Sequence, residues 1–171
     1  MRFPNRADIK RSHIMHGLSL LGLLIMAYLT WVHYSPVNSS LCNLSPNFSC
    51  DVVNKSVFSE FLGLPISILG ILFFLSIMAI PLLKNVQKPH ALIALIALFN
   101  VPFALSLTGV EIFYLGSICV FCEISKMFML GILALAVKES HSRGHRLARN
   151  HVLWVLLLGA AVAAINYRLL A

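Results

Sequence analysis

The chain has 171 residues, 59% of them hydrophobic and only 11% charged, against roughly 45–50% and about 25% in ordinary soluble domains. Its formal net charge is +7, but the composition excludes both a disordered chain and a basic nucleic-acid-binding domain, and it argues against a water-soluble globule. A hydrocarbon core of about 30 Å takes about 20 apolar residues per helix, so five helices with short loops would use nearly all of residues 1–171 as a single transmembrane domain, and a soluble partner would be a separate protein.

Long apolar runs predict spans at about 14–34, 63–83, 90–108, 116–137 and 151–169. The first run is longer than a signal-peptide core and is followed by no small-residue cleavage site, so it reads as a span. Arg2, Arg6, Lys10 and Arg11 precede it. Lys84 and Lys88 lie between the second and third runs, and Lys138, Arg143, Arg146 and Arg149 between the fourth and fifth. In a five-span arrangement these ten fall on one side, while only Lys55 and Arg168 fall on the other. Basic loops stay cytoplasmic, so the N-terminus is expected inside, with loops 35–62 and 109–115 outside. Tyr28, Trp31 and Tyr34, and Phe113 and Tyr114, suit the outer interface because such rings are apolar at one edge and wet at the other.

In the first outer loop, Asp51 is placed to cap a helix over 51–61. Val57, Phe58, Phe61 and Leu62 form an apolar stripe along it, opposite Lys55, Ser56, Ser59 and Glu60. The expectation is a short helix lying on the outer surface as a lid. Gly63 and Pro65 then open the second span, with proline tolerated in its first turn.

The four cysteines form two close pairs. Cys42 and Cys50 lie in the outer loop, and Cys119 and Cys122 form a C-V-F-C motif at the outer start of the fourth span. The charge count alone puts all four on the oxidising side of a membrane, where disulfides persist. Positions i and i+3 share a helical face, so a thiol pair there can close and reopen with little backbone movement. A helix N-terminus favours thiolate, the species that carries thiol–disulfide exchange. Three other readings are open: two static disulfides in a non-enzymatic membrane protein, a four-thiolate zinc site, or unrelated free thiols. Zinc fits less well because the eight-residue step from Cys42 to Cys50 is wide for a knuckle. A transporter would need polar groups along a path across the membrane, and only Asn100, Glu123 and Lys126 qualify in this reading.

Residues 42–70 read CNLSPNFSCDVVNKSVFSEFLGLPISILG and residues 114–122 read YLGSICVFC. The loop cysteine pair, the serine after it, the Gly-x-Pro opening of the second span and the C-x-x-C on the fourth resemble the vitamin K epoxide reductase family. The fifth span resembles the bacterial members that make disulfides, here without a fused thioredoxin-like domain. The resemblance implies an all-α integral membrane protein, with four helices bundled around a quinone and the fifth peripheral. It implies that Cys119 and Cys122 are the catalytic pair, with Cys122 beside the quinone. Cys42 and Cys50 would be the shuttle pair, Cys50 exchanging with Cys119. Electrons would pass from a thioredoxin-like oxidase, or another reduced thiol protein, to ubiquinone, menaquinone or vitamin K. The alternative is reduction of vitamin K epoxide or quinone for its own sake, by the same residues. A bacterial inner membrane with periplasmic cysteines, or a luminal equivalent, is the expected location.

Lys126 is expected about ten residues, or about 15 Å, into the fourth span. An ionisable residue at that depth is costly and usually functional. It lies one turn beyond Cys122, where some family members have a tyrosine that hydrogen-bonds the quinone. Lys126 is therefore a candidate donor to a quinone oxygen, with an ion pair to Glu123 as the competing reading. Ser56 matches the family serine near the active site. Asn100 is either an interhelical hydrogen bonder or a cavity residue. Ser67 and Gly70 suit close helix contact. Ile66 stands where some members carry a quinone-holding asparagine. The seven histidines are not read as ligands. Asn38, Asn43, Asn47 and Asn54 each begin an Asn-x-Ser sequon, relevant only in a eukaryotic lumen.

Overall fold

The computed structural model describes residues 6–36, 40–83, 86–144 and 149–170; Arg2, Asn38, Lys84 and Arg146 lie outside them. The long helices are α1 (Arg6–Tyr34), α3 (Ile66–Ala79), α4 (Pro89–Val110), α5 (Val120–Ser142) and α6 (Arg149–Leu170). A short helix α2 (Cys50–Asn54) and a two-stranded hairpin, β1 (Glu60–Phe61) with β2 (Leu64–Pro65), lie between α1 and α3. Helix α1 packs on α3 and α5, and α4 packs on α5 and α6.

Three segments are long and apolar enough to cross a membrane: Lys10–Tyr34, Pro89–Leu115 and Val120–Ser142. Ile66–Leu82 and Arg149–Ile165 are apolar but shorter. Leu20, Leu21, Leu24, Leu72, Leu105, Leu130 and Leu157 face outward. Leucines around the whole outer wall suit lipid, which imposes no burial preference on them.

The core is built by small residues that let larger ones in. Phe74 of α3 lies over Gly22 of α1, where a Cβ would collide with the ring. It packs with Met15, Ile77, Ile93, Ala97, Met129 and Ile132. Gly70 meets Met26, and the Thr30 hydroxyl donates to Ser67 Oγ at 2.9 Å, so both small residues expected at contacts lie against α1. Gly159 of α6 abuts the Phe99 carbonyl of α4. At the end away from the cysteines, the carboxylate of Glu139 is fully buried. Arg11 Nε holds one oxygen at 2.7 Å and Arg143 Nε the other at 2.8 Å. This ties α1 to α5 and satisfies a group too costly to bury alone.

Four local expectations are corrected. The single helix over 51–61 is instead α2, a 3-10 turn at Val57–Ser59 and the start of the hairpin. Leu62 and Gly63 both take positive φ at the hairpin turn, a geometry that ends helix and favours glycine at the second position. The cap of α2 is Ser49, whose Oγ accepts from Val52 N at 3.3 Å, so Asp51 is spent elsewhere. The expected outer loop at 109–115 is helical: α4 runs into a π turn at Glu111–Leu115, closed by left-handed Gly116. Pro65 is the N-cap of α3 and not a first-turn residue.

Candidate functional site

The outer loop is clasped around one carboxylate. Asp51 accepts from Ser40 N at 3.0 Å and from Asn43 Nδ2, and pairs with Lys55 Nζ at 3.1 Å. Burial pushes its acid up, but the bonds from Ser40, Lys55 and Asn43 outweigh that and hold the pKa at about 2, below the ordinary 3.8. A depressed carboxylate pKa stabilises the loop above the ordinary value, and the benefit is lost as pH falls through the depressed one. The clasp is therefore expected to weaken between about pH 4 and pH 2. Reduction of Cys42–Cys50 by a phosphine should then accelerate on acidification relative to a small disulfide standard, and Asp51→Asn should be fast already at pH 7. Equal rates for the two proteins at both pH values would show that the clasp does not guard the bond.

Inside this loop Cys42 and Cys50 form a disulfide, with Cα atoms 5.6 Å apart. The backbone then locks onto the segment before α5. Ile118 N donates to Asn47 O at 2.9 Å, and Ser49 N to Ile118 O at 3.2 Å. That stitch sets Cys50 against Cys119, with their sulfurs 3.1 Å apart. Cys119 is the N-cap of α5, its sulfur accepting from Cys122 N at 3.3 Å. Cys119 and Cys122 are free thiols, the first buried and the second partly exposed. The sulfurs of Cys42, Cys50 and Cys119 lie within 4.8 Å of one another. Two of them are bonded to each other, so in this state they offer exchange chemistry in place of a thiolate zinc set.

Asn54 went unrecognised as a site residue in the sequence. Its amide donates to Cys50 O at 3.0 Å and points toward Cys119 Sγ at 3.4 Å and Cys122 Sγ at 3.8 Å. It is buried, which removes it as a glycan acceptor. Being four residues after Cys50 on a helix, it shares that cysteine's face, and this spacing was the available signal. Its carbonyl faces His33 Nδ1 at 2.5 Å and accepts from Ser59 Oγ at 2.8 Å, fixing the end of α2 to α1.

Beneath the sulfurs lies a cavity of about 590 Å³, lined by Asn54, Ser56, Asn100, Glu111, Cys122 and Lys126 among mostly apolar and aromatic side chains. All four residues singled out in the sequence for the cofactor, Cys122, Lys126, Ser56 and Asn100, border it. Ser56 Oγ and Asn100 Nδ2 each donate at 2.8 Å to backbone carbonyls of their own segments, Val53 and Ile96. Lys126 Nζ donates to Thr108 Oγ1 and Glu123 Oε1, both at 2.7 Å, and to Glu111 Oε1 at 3.1 Å. The ion pair with Glu123 is present, and Glu111 is a second carboxylate partner that the sequence reading placed in a loop. Lys126 also lies nearer the start of its helix than the sequence reading placed it. Helix α5 begins at Val120, so the lysine lies less than two turns in, at about 9 Å.

A thiol pair, one buried and one partly exposed, next to a disulfide and above a mostly apolar cavity with one ammonium in its wall, is suited to moving electrons between protein sulfur and an apolar acceptor. The family model of the vitamin K epoxide reductase family matches residues 13–137. That stretch holds α2 to α4 whole, most of α1 and α5, and every residue of the site just described, and the chain belongs to that family of membrane oxidoreductases.

Proposed function

We propose that this protein is a quinone-dependent thiol oxidase, with five spans and its cysteines on the outer side. The observation that carries the reading is the 3.1 Å approach of Cys119 Sγ to Cys50 Sγ, with Cys122 bordering the cavity. A reduced thioredoxin-like partner opens Cys42–Cys50. Cys50 then exchanges with the Cys119–Cys122 pair through a mixed disulfide, each transfer needing one accessible thiolate. The net change is partner dithiol to disulfide and quinone to quinol.

The cavity fits such an acceptor. Its wall is mostly apolar with few polar groups, the usual make-up of a site for a flat hydrophobic ligand. Bound there, a quinone would supply the capacity for two electrons and two protons. On the protein side, Cys122 presents sulfur to the cavity and Asn54 donates toward both catalytic sulfurs. Lys126 holds a proton at Nζ within the wall.

Mixing purified protein, a reduced thioredoxin-like oxidase and ubiquinone, and following quinone absorbance, tests the reading; absence of turnover with ubiquinone, menaquinone and vitamin K alike would end it. Lys126→Met is expected to slow turnover and weaken quinone affinity together. If rate and affinity both stay at wild-type values, the lysine serves only its ion pairs.

A further inference from the structure

Glu111 bonds Cys119 with one oxygen of its carboxylate and Lys126 with the other. It stands in the π turn at the end of α4, a helix irregularity often found at functional positions, and is 2% exposed. Its Oε2 accepts the backbone N–H of Cys119 at 2.8 Å. Its Oε1 takes Lys126 Nζ at 3.1 Å. With one donor on each oxygen, the carboxylate keeps free lone pairs. Glu111, Cys122 and Lys126 all border the same cavity.

Charge counting says what such a group can do. Glu111 and Glu123 share the single ammonium of Lys126, which leaves one negative charge uncompensated in mostly apolar surroundings. An unpaired charge there is costly, so the cluster has room for one proton. Glu123 is 32% exposed at its side chain, whereas Glu111 is 3%, so water can hydrate the first and not the second. The titratable groups facing Glu111 are Lys126, Glu123 and the two cysteines, all from α5 and the turn before it. Helix α4 adds only the Thr108 hydroxyl, and the charged residues of the α2 segment, Asp51 and Lys55, pair with each other.

We propose that Glu111 is the proton-transferring residue between the C-x-x-C thiols and Lys126. The inference rests on the thiol oxidase reading. When a catalytic thiol is oxidised, its proton passes to the Glu111 carboxylate while its electrons go on to the acceptor. Lys126 gives an Nζ proton to the acceptor oxygen and is recharged from Glu111. Two thiols release two protons and two electrons, and a quinone going to quinol takes up two of each, so the relay runs twice per turnover. The protons pass to the acceptor without release to water, and no net charge crosses the membrane.

The test reads the protein both without and with the acceptor. Infrared difference spectra between the oxidised and reduced cysteine states, recorded on the full chain without quinone, should contain a protonated-carboxyl band that shifts in D2O. Glu111→Gln should remove it, and Glu123→Gln should keep it. In single turnover with ubiquinone, Glu111→Gln should lower the rate by about 10²-fold, the scale of general acid–base transfer, with little change in quinone affinity and with the Cys50–Cys119 exchange intact on a non-reducing gel. A band that survives Glu111→Gln, or a variant turning over at the wild-type rate, overturns the proposal. If wild-type protein reduces no quinone, the thiol oxidase reading falls, while the infrared band still decides whether Glu111 receives the thiol proton. Should Glu111→Gln not fold, the band in Glu123→Gln protein carrying 13C-carboxyl glutamate decides, because absence of an isotope shift there also overturns it.

Discussion

Cys122→Ala is expected to remove quinone reduction altogether while leaving the outer disulfide in place. The substitution deletes the only sulfur of the four among those that border the cavity, and no other side chain in that wall can carry the redox step. Cys42–Cys50 is formed independently of it, and the stitch between Asn47, Ser49 and Ile118 is backbone only. The variant should therefore fold, keep the wild-type number of free thiols less one, and show no quinone absorbance change with a reduced partner. Turnover at the wild-type rate would mean that electrons leave the sulfurs by another route, and the assignment of Cys122 would be wrong.

Cys42→Ala should produce the opposite signature, a covalent trap. Removing Cys42 frees Cys50, which stands 3.1 Å from Cys119, whereas a disulfide bond is about 2.05 Å. Closing that gap takes a shift on the order of 1 Å, well within side-chain motion. Once quinone has oxidised Cys119 and Cys122 to their disulfide, the freed Cys50 thiolate attacks Cys119 and displaces Cys122 as thiolate, and with no Cys42 to resolve it the Cys50–Cys119 linkage should accumulate, visible as a shift on a non-reducing gel and as a cross-linked peptide in mass mapping. Persistent failure to find that peptide, with Cys50 oxidised elsewhere, would show that the shuttle order is wrong. The two variants together separate the exchange step from the step at the cavity.

The long helices were readable from the sequence because apolar runs are local and long: α1 to α6 fall on the expected spans, apart from the short α2. The joints between them were less so. The 51–61 segment has helical spacing of apolar residues, yet Leu62 and Gly63 adopt positive φ and turn the chain into a hairpin, a backbone event the apolar pattern does not encode. Phe58 and Phe61 of the expected stripe line the cavity, while Val57 and Leu62 stay exposed. The Cys42–Cys50 disulfide was legible because two cysteines eight residues apart in one loop can meet without help from the rest of the fold. Glu111 was not, since assigning 109–115 to a loop made an acid there unremarkable. Only the π turn, which carries the helix past Val110 and rotates the carboxylate beneath Cys119, gives it meaning. Asn54 was overlooked for a similar reason: its sequon drew attention away from its position one turn after Cys50.

The backbone stitch at Ile118 gives the outer loop a stationary end and a presenting end. Cys50 stands at the stationary end, one residue beyond the pinned Ser49, and cannot swing out without unpicking main-chain bonds. Cys42 sits on the far side, itself buried between the exposed Leu41 and Leu44, on a stretch tied to the rest of the fold by side chains such as Tyr28 and Asp51 and by main chain within the loop, Leu44 N to Phe48 O at 2.9 Å. Were disulfide bonds to change hands there, the Cys42 arm would be the one to swivel, against the fixed jaw at Cys50.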